Sequence, residues 1–280
     1  MTLKPKLYGL VGFPIKHSLS PCMHNAALAK LKIKAKYKLF ELQAGQLEYF
    51  IDNLKKNNIR GFNVTIPYKE KVLPYLNIKS LGVREIGAVN TVVVTKDGKL
   101  KGFNTDFLGF NRHLKVLKVK PRKAAIIGAG GASRAVCFAL GQNKVEEICI
   151  HDIDAYKSLG IVSQFKNVFD QTKFSAVARI DELSLQDKDL LVNASPVGMR
   201  SDDPCLVEAK MMHKNLFVYD LIYNPAETKL IAQAKQVGVR CSNGLGMLLY
   251  QGILSFGHFT GKKAPVETMW AALEKGVKKL

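Results

Sequence analysis

The hydrophobic and polar positions of the first hundred residues alternate between two periods. Strand-like runs, in which apolar residues cluster or alternate, take turns with helical spacing at residues 7–11, 21–31, 37–42, 46–54 and 61–66. Gly12 and Pro14 close the first run, and Pro21 opens the first helical segment. Alternating strands and helices predict a mainly parallel sheet.

The next segment predicts a hairpin and then a helix. Residues 89–95 and 99–103 are strand-like and flank Asp97-Gly98, a pair typical of tight turns. Residues 106–118 have apolar positions at helical spacing, and Pro121 stops that helix. We expect this helix to link two domains.

A second alternating series begins at Lys123. Its predicted strands are residues 124–127, 147–150, 190–193 and 217–221, and a glycine turn and a helix follow the first of them. This is the order of a Rossmann fold. The final segment, residues 247–280, is mostly helical by spacing and is expected to pack back on one of the sheets.

The sequence therefore predicts a two-domain α/β protein. An α/β domain with a mainly parallel sheet covers residues 1–105 and is completed by the C-terminal helices at 245–280. Residues 106–120 form the linking helix, and residues 121–244 form the Rossmann domain.

Composition supports a globular protein with two cores. The chain has 280 residues, of which 47% are hydrophobic and 23% charged. Its five cysteines have no two-residue spacing, so a disulfide framework and a structural zinc site are not expected, and a reducing cytoplasm fits best. Residues 1–6 lack the apolar stretch of an export signal. Residues 242–261 are uncharged, but Gln251, His258 and several hydroxyls, together with five glycines, disfavour a membrane span.

The net charge of +19 does not by itself indicate which class of partner the protein binds. Such a field attracts nucleic acid, membrane phosphates and small anions alike. The lysines are scattered and lack the interleaved aromatic residues of nucleic-acid modules, which favours a solvated basic surface without nucleic-acid or membrane partners.

The glycine turn predicts a dinucleotide site. It comprises Gly128, Ala129, Gly130, Gly131, Ala132 and Ser133. Glycines between a strand and a helix let the backbone approach a pyrophosphate beside the helix N-terminus. A purely structural turn is the alternative, because Ser133 stands in place of the last glycine of the usual fingerprint.

An acidic residue follows the next strand, as such a site requires. Asp152 can accept hydrogen bonds from the adenosine ribose, and its charge repels a 2′-phosphate, so the pattern favours NAD over NADP. Capping of the following helix is the alternative role for Asp152.

Short polar clusters at predicted strand ends carry a family resemblance. They are His17-Ser18-Leu19-Ser20-Pro21, Asn63-Val64-Thr65-Ile66-Pro67-Tyr68-Lys69, Gly87-Ala88-Val89-Asn90-Thr91 and Asn104-Thr105-Asp106. Asn193-Ala194-Ser195-Pro196-Val197-Gly198-Met199, Asp220-Leu221-Ile222-Tyr223-Asn224-Pro225 and the run from Asn243 to Gln251 continue the pattern. In this order, and with the glycine turn among them, the clusters closely resemble the shikimate dehydrogenase family.

The resemblance implies a substrate domain, a Rossmann domain and an active-site cleft where they join. It also implies reversible reduction of 3-dehydroshikimate to shikimate in aromatic amino acid biosynthesis, with Lys69 and Asp106 as the catalytic pair. An ammonium both stabilises the developing oxyanion and supplies its proton, while the carboxylate orients the lysine and the substrate hydroxyl.

Further contacts carry over from the family by motif. Substrate contacts are Ser18, Ser20, Thr65, Lys69, Asn90, Thr105, Asp106, Tyr223 and Gln251, with Ser18 and Ser20 on the carboxylate. Helix capping is the alternative role for these two serines. Besides the glycine turn and Asp152, the cofactor contacts are Ser195, Leu221, Gly244 and Met247.

Two positions depart from the family pattern. Members that use NADP usually carry Asn-Arg-Thr or Asn-Arg-Ser after the second Rossmann strand, whereas this chain has His151-Asp152-Ile153. The arginine clamp for the 2′-phosphate is missing, although Lys157 offers a partial substitute, so we expect NAD to be tolerated and preferred to the family's NADP. Ser195 replaces a usual threonine and keeps the hydroxyl.

Alternative functions remain at this stage. Acidic residues after the second strand also resemble the NAD-dependent quinate/shikimate dehydrogenase branch, although the serine pair favours shikimate. A non-catalytic basic protein that binds nucleotide or nucleic acid belongs to another class, and the presence of both Lys69 and Asp106 opposes it. His17 and His24 have no partners at metal-ligand spacing and are assigned to structure. A monomer and a homodimer fit equally well.

Overall fold

The structure is a computed structural model that describes residues 5–279. Met1–Lys4 and Leu280 lie outside the described residues, and so does most of the segment used above to judge export. By its contacts the chain divides into two compact units. The first comprises the residues up to Gly109 together with those from Leu248 onward, and the second is Phe110–Met247.

Strands and helices alternate along the described chain. The strands are β1 (Lys6–Gly12), β2 (Ala35–Glu41), β3 (Ile59–Val64), β4 (Ile78–Lys79), β5 (Thr91–Val94), β6 (Leu100–Phe103), β7 (Lys123–Ile127), β8 (Glu147–His151), β9 (Lys173–Val177), β10 (Leu190–Asn193), β11 (Phe217–Asp220) and β12 (Arg240–Ser242). The helices are α1 (Ser20–Lys30), α2 (Leu47–Asp52), α3 (Leu81–Ile86), α4 (Asp106–Val116), α5 (Gly131–Gln142), α6 (Ala155–Phe165), α7 (Lys229–Gln236), α8 (Leu245–Thr260) and α9 (Val266–Val277).

The first unit contains a six-stranded sheet in the order β2-β1-β3-β5-β6-β4. β1 pairs in parallel with β2 and β3, and β4 pairs in parallel with β6. β5 is antiparallel to both of its neighbours, β3 and β6, and the tight turn at Asp97-Gly98 joins it to β6 as a hairpin. Gly98 adopts φ +85°, a conformation that glycine reaches without strain.

Both faces of this first sheet are covered. Val11, Phe62 and Val92 are fully buried in the cluster beneath the central strands. On α8, Phe259 lies so close to β3 that a Cβ on Gly61 would approach its ring to 2.7 Å. Burial on both sides explains why the central strands read as apolar runs rather than as alternating patterns.

The second unit contains a six-stranded sheet in the order β12-β11-β10-β7-β8-β9. All of its pairings are parallel. From β7 the chain adds β8 and β9 on one side and β10 to β12 on the other, so the strand order reverses between β7 and β10. This order is that of the Rossmann fold, in which ligands bind at the carboxyl ends of the strands next to such a reversal.

The predicted fold class is confirmed, with differences in detail. β4, β9 and β12 were not predicted, and neither were α3 and α7, while α6 was expected only as a helix after Asp152, without bounds. β4 has two residues and α3 has six, too few for a period to show. The predicted helix at residues 106–118 ends earlier, at Val116, because Lys118 adopts a left-handed φ of 55°. Within residues 5–279, no helix has both the length and the apolar character needed to cross a membrane.

Candidate active site and dinucleotide site

Lys69 and Asp106 form a close ion pair in the first unit. Lys69 Nζ lies 2.6 Å from Asp106 Oδ2, and the two side chains are only 13% and 8% exposed. Lys69 belongs to the loop after β3, whereas Asp106 is the first residue of α4. An ion pair shielded from water in this way holds its geometry better than a surface pair does.

Asn90 holds the other oxygen of the Asp106 carboxylate. Its Nδ2 donates to Asp106 Oδ1 at 2.7 Å and to Thr105 Oγ1 at 2.9 Å. Its Oδ1 accepts from the backbone amide of Thr105 at 2.7 Å. Gln251 approaches the same amide, with Oε1 3.4 Å from Asn90 Nδ2. The structure thus brings together five residues that the sequence placed in the substrate site.

A second layer of buried polar groups lies behind Asn90, and no role for it was predicted from the sequence. Asn63 Nδ2 donates to Ser255 Oγ at 2.9 Å and to Thr91 Oγ1 at 3.0 Å. Asn63 Oδ1 accepts from the Tyr37 hydroxyl at 2.8 Å, and Thr91 Oγ1 donates to Asn90 Oδ1 at 3.1 Å. The sequence signal that could have revealed this layer is the presence of Asn63 and Thr91 on strands that are otherwise mainly apolar.

Ser18, Ser20 and Thr65 lie at the ends of neighbouring elements of the same unit. Ser18 Oγ accepts from the backbone amide of Ser20, the first residue of α1, at 3.2 Å. The N-cap residue of α1 is Leu19, which provides no side-chain hydrogen bond to the helix. Ser18 therefore does support the helix start, but as the neighbour of the N-cap residue. Thr65 is half-buried after β3, against Gly12.

The glycine turn of the second unit has the form that a pyrophosphate requires. Gly128 adopts φ +102°, and a Cβ there would lie 2.8 Å from the backbone of Ala194 and Ser195. Gly130 is the N-cap residue of α5 and gives no side-chain cap, while a Cβ on it would meet no atom within 4 Å. The first amides of α5 thus lack a side-chain acceptor next to open space, which is the arrangement of a phosphate-binding helix N-terminus.

Asp152 is held by two backbone amides, one of which belongs to this turn. Oδ2 accepts from the backbone amide of Ala129 at 2.6 Å, and Oδ1 accepts from that of Asp154 at 2.9 Å. The alternative that Asp152 caps the following helix is wrong, because Asp154 is the N-cap residue of α6 and accepts from Tyr156. Lys157 lies 3.5 Å from Asp154, while Ile153 is fully exposed.

The ends of β10 and β11 are joined by a buried carboxylate. Asn193 Nδ2 donates to Asp220 Oδ1 at 3.0 Å, and Thr228 Oγ1 donates to Asp220 Oδ2 at 2.6 Å. Burial raises the pKa of Asp220 to about 6 against the opposing effect of these donors. Asn193 Oδ1 in turn accepts from the amide and hydroxyl of Ser195, at 3.0 and 2.7 Å.

The remaining predicted cofactor residues meet beside β11. Gly244 packs so closely on Leu221 that a Cβ would lie 2.0 Å from the Leu221 carbonyl oxygen. Met247 lies in the first turn of α8. Tyr223, predicted as a substrate contact, is half-buried in the loop that follows β11 of the second unit. Among residues 5–279 we find no group of three His, Cys, Asp or Glu side chains able to hold a metal ion.

Comparison with known proteins identifies related sequences and structures. Residues 10–92 match the model of the shikimate dehydrogenase substrate binding domain, and residues 244–274 match that of the shikimate 5'-dehydrogenase C-terminal domain. The chain is 42% identical to the shikimate dehydrogenase (NADP(+)) of Caldanaerobacter subterraneus subsp. tengcongensis over 92% of both proteins.

Solved structures agree over nearly the full length. A crystal structure of shikimate dehydrogenase in complex with NADP+ superimposes with a TM-score of 0.89 and 37% identity, over 98% of this chain and 96% of that one. The shikimate 5-dehydrogenase of Listeria monocytogenes in complex with shikimate and NAD gives a TM-score of 0.84 and 34% identity, over 96% of each chain.

Proposed function

The chain belongs to the shikimate dehydrogenase family, and we propose from this premise that it interconverts 3-dehydroshikimate and shikimate with a nicotinamide dinucleotide. The observation that carries the proposal is the shielded Lys69–Asp106 pair, 2.6 Å apart and held on its far side by Asn90. A protein that only binds a nucleotide has no use for a paired proton donor and carboxylate.

Lys69 supplies the proton in the direction of reduction. When bound, the reduced nicotinamide supplies the hydride that adds to the carbonyl carbon of the substrate. The electron pair of the C=O bond moves to oxygen, which takes a proton from the Lys69 ammonium and becomes the hydroxyl. Asp106 keeps Nζ in place at 2.6 Å. Solvent then returns the proton to Lys69, and oxidation follows the same steps in reverse.

The polar residues around this pair match a hydroxylated carboxylic acid. Asn90, Thr105 and Gln251 present amide and hydroxyl groups beside Asp106, and Thr65 adds another hydroxyl on the loop that carries Lys69. Ser18, Ser20 and Tyr223 complete the set of contacts, with the two serines assigned to the carboxylate. Their hydroxyls precede a helix N-terminus, where negative charge is favoured.

The second unit holds the dinucleotide. The turn around Gly128 and Gly130 accommodates the pyrophosphate, and Ser195, Leu221, Gly244 and Met247 form the nicotinamide end. Both oxygens of Asp152 have lone pairs left for the ribose hydroxyls, since a carboxylate offers about four acceptor sites.

NAD is the preferred form of the cofactor. Two of the relatives named above use NADP(+) by name or contain it, but Asp152 places a negative charge where a 2′-phosphate would lie. Lys157 is engaged by Asp154, and Ile153 offers no charge, so neither of these two positions commits a cation to that phosphate. The Listeria structure, which contains NAD, shows that the family accommodates this form.

Initial rates test substrate and cofactor together. Shikimate and quinate are each offered with NAD+ and with NADP+, and the absorbance of the reduced nicotinamide is followed at one pH. We expect rapid oxidation of shikimate with NAD+. Faster oxidation of quinate would favour the alternative branch, a preference for NADP+ would overturn the cofactor proposal alone, and inactivity in all four would overturn the activity.

Two lysines on one loop test the proton donor. Lys69→Ala is expected to lower kcat by on the order of 10²–10⁴-fold, the usual contribution of a positioned acid, with little change in dinucleotide affinity. Lys71→Ala is the matched control, because Lys71 is exposed and lies over the Tyr68 ring outside the pair. Equal losses in the two variants would contradict the role of Lys69.

Two aspartates test the cofactor preference. Asp152→Asn is expected to raise the ratio of kcat/KM for NADP+ over NAD+ by roughly tenfold, the effect of about 1.4 kcal/mol. Asp154→Asn removes a charge two residues away, and asparagine caps a helix as well as aspartate does. Because Asp154→Asn also releases Lys157, a similar rise in both variants would mean that nearby charge or the freed Lys157, rather than contact with Asp152, sets the preference.

A further inference from the structure

The first turn of α8 depends on residues that are distant in sequence. The initial amides of a helix have no partner within the helix and need acceptors from elsewhere. Asn243 Oδ1 accepts from the amide of Leu245 at 3.1 Å, and the Tyr219 hydroxyl accepts from that of Met247. Tyr219 belongs to β11 and is fully buried, so its hydroxyl is a fixed acceptor.

The Tyr219 hydroxyl is held in turn by His113 of α4. Its oxygen lies 2.5 Å from His113 Nδ1. While it receives the Met247 amide, the oxygen can donate its own hydrogen to Nδ1 in the tautomer that carries the proton of a neutral imidazole on Nε2. Burial lowers the pKa of His113 to about 4, so the ring stays neutral and able to accept near pH 7.

The imidazole also lies directly against the backbone of α8. A Cβ on Gly246 would come within 2.2 Å of His113 Nε2, so only glycine allows this approach. The turn is therefore held by a hydrogen bond at Met247 and by ring contact at Gly246. The same segment packs on β11 through Gly244 and Leu221.

We propose that His113 and Tyr219 are positioning residues for the dinucleotide, since together they fix the segment from Gly244 to Met247 on which the nicotinamide end lies. This inference rests on the proposed function, because it takes that segment to be the nicotinamide contact. Neither side chain is among the residues assigned to cofactor, substrate or proton transfer. Their effect passes through the backbone of the turn.

Tyr219→Phe is the sharpest test, because it removes one hydroxyl and leaves the buried ring. We expect KM for the dinucleotide to rise roughly two- to tenfold, the range given by loss of one hydrogen bond. The Kd of shikimate, measured by calorimetry without cofactor, should stay unchanged. Phe165→Leu on α6 is the control for general loosening of the same unit, since Phe165 is fully buried and distant in sequence from the turn.

His113 provides the rescue and the coupling test. His113→Leu should reproduce the rise in KM, whereas His113→Asn, which returns an acceptor near the position of Nδ1, should recover most of it. The double variant Tyr219→Phe/His113→Leu should be no worse than the poorer single variant, because both changes break one chain of contacts.

Several outcomes would overturn the proposal. The first is a double variant whose rise in KM equals the product of the two single rises. The second is a His113→Asn variant whose KM is no lower than that of His113→Leu. The third is a Phe165→Leu variant that raises KM as much as Tyr219→Phe does when both lower the Tm equally. If the proposed function itself is wrong, the wild-type protein will show no dehydrogenase activity, which distinguishes that failure from failure of the positioning role. Calorimetric titration with NAD+ then replaces KM in the same set of variants, and unchanged Kd values overturn the positioning role.

Discussion

Acid should destabilise this protein through histidines whose pKa is lowered by burial, and the share of His24 can be isolated by substitution. His24 is 1% exposed on α1, and its ring stacks on that of Tyr37 with centroids 4.3 Å apart. Its Nε2 has no hydrogen-bond partner. Burial alone lowers the pKa of His24 to about 3, because no neighbouring group stabilises the imidazolium.

The size and sign of the effect follow from proton linkage. In the unfolded chain a histidine has a pKa of about 6.5, so between that value and the folded pKa the unfolded state binds more protons. The free energy of unfolding therefore falls as pH falls through this window. At pH 5 the loss due to His24 is about 2 kcal/mol relative to pH 7.5, where both states are almost fully neutral.

Urea unfolding of wild type and His24→Phe at pH 7.5 and pH 5 measures this loss. Phenylalanine keeps the stacking ring and removes the titrating group, so the variant should lose about 2 kcal/mol less than the wild type on acidification. Taking the difference cancels other groups, including Asp220, whose raised pKa acts in the opposite sense. Met23→Leu, a buried change on the same helix, should keep the wild-type dependence. An identical acid response in His24→Phe and wild type would refute the reasoning.

Three further substitutions probe stability by urea unfolding. Thr228→Val removes both the N-cap of α7 and a hydrogen bond to Asp220, and it should cost about 1–3 kcal/mol; a cost near zero would contradict both roles. Ser255→Ala leaves the amide of Asn63 with one acceptor fewer, so a loss of about 1 kcal/mol with a lower kcat is expected, and an unchanged kcat would mean that this layer does not support Asn90. Arg122→Ala breaks an exposed pair and should leave the transition unmoved; a clear shift would show that the pair is stabilising.

The sequence allowed the fold to be predicted wherever periodicity and turn chemistry acted together. The apolar strand before Gly128 and the Asp97-Gly98 turn each had a local signal, and β7 and the hairpin of β5 and β6 were found. β9 was missed because its first residue, Lys173, is exposed and its last three residues are only partly buried, so no apolar run marks it; α6 was expected only as a helix after Asp152, without bounds. There, contacts distant in sequence decide the structure.

The candidate site divides in the same way. Motifs indicated Lys69, Asp106 and Asn90, and the structure adds that one carboxylate joins all three. Local sequence cannot reveal that Tyr219 serves the amide of Met247, because such a contact exists only after the sheet has formed. The cofactor preference, the site roles and the oligomeric state stay predictions.

The double attachment of Asp152 has a consequence for how such an enzyme changes its cofactor over evolutionary time. A substitution at Asp152 alters charge and also loosens the turn it ties to β8, so selection meets a folding penalty along with any new preference. Ile153 beside it is fully exposed, so its side chain does not hold the turn. An arginine at this position would bring a cation to the same edge without that penalty. The freest route between NAD and NADP therefore runs through the neighbour of the residue that we propose discriminates between them.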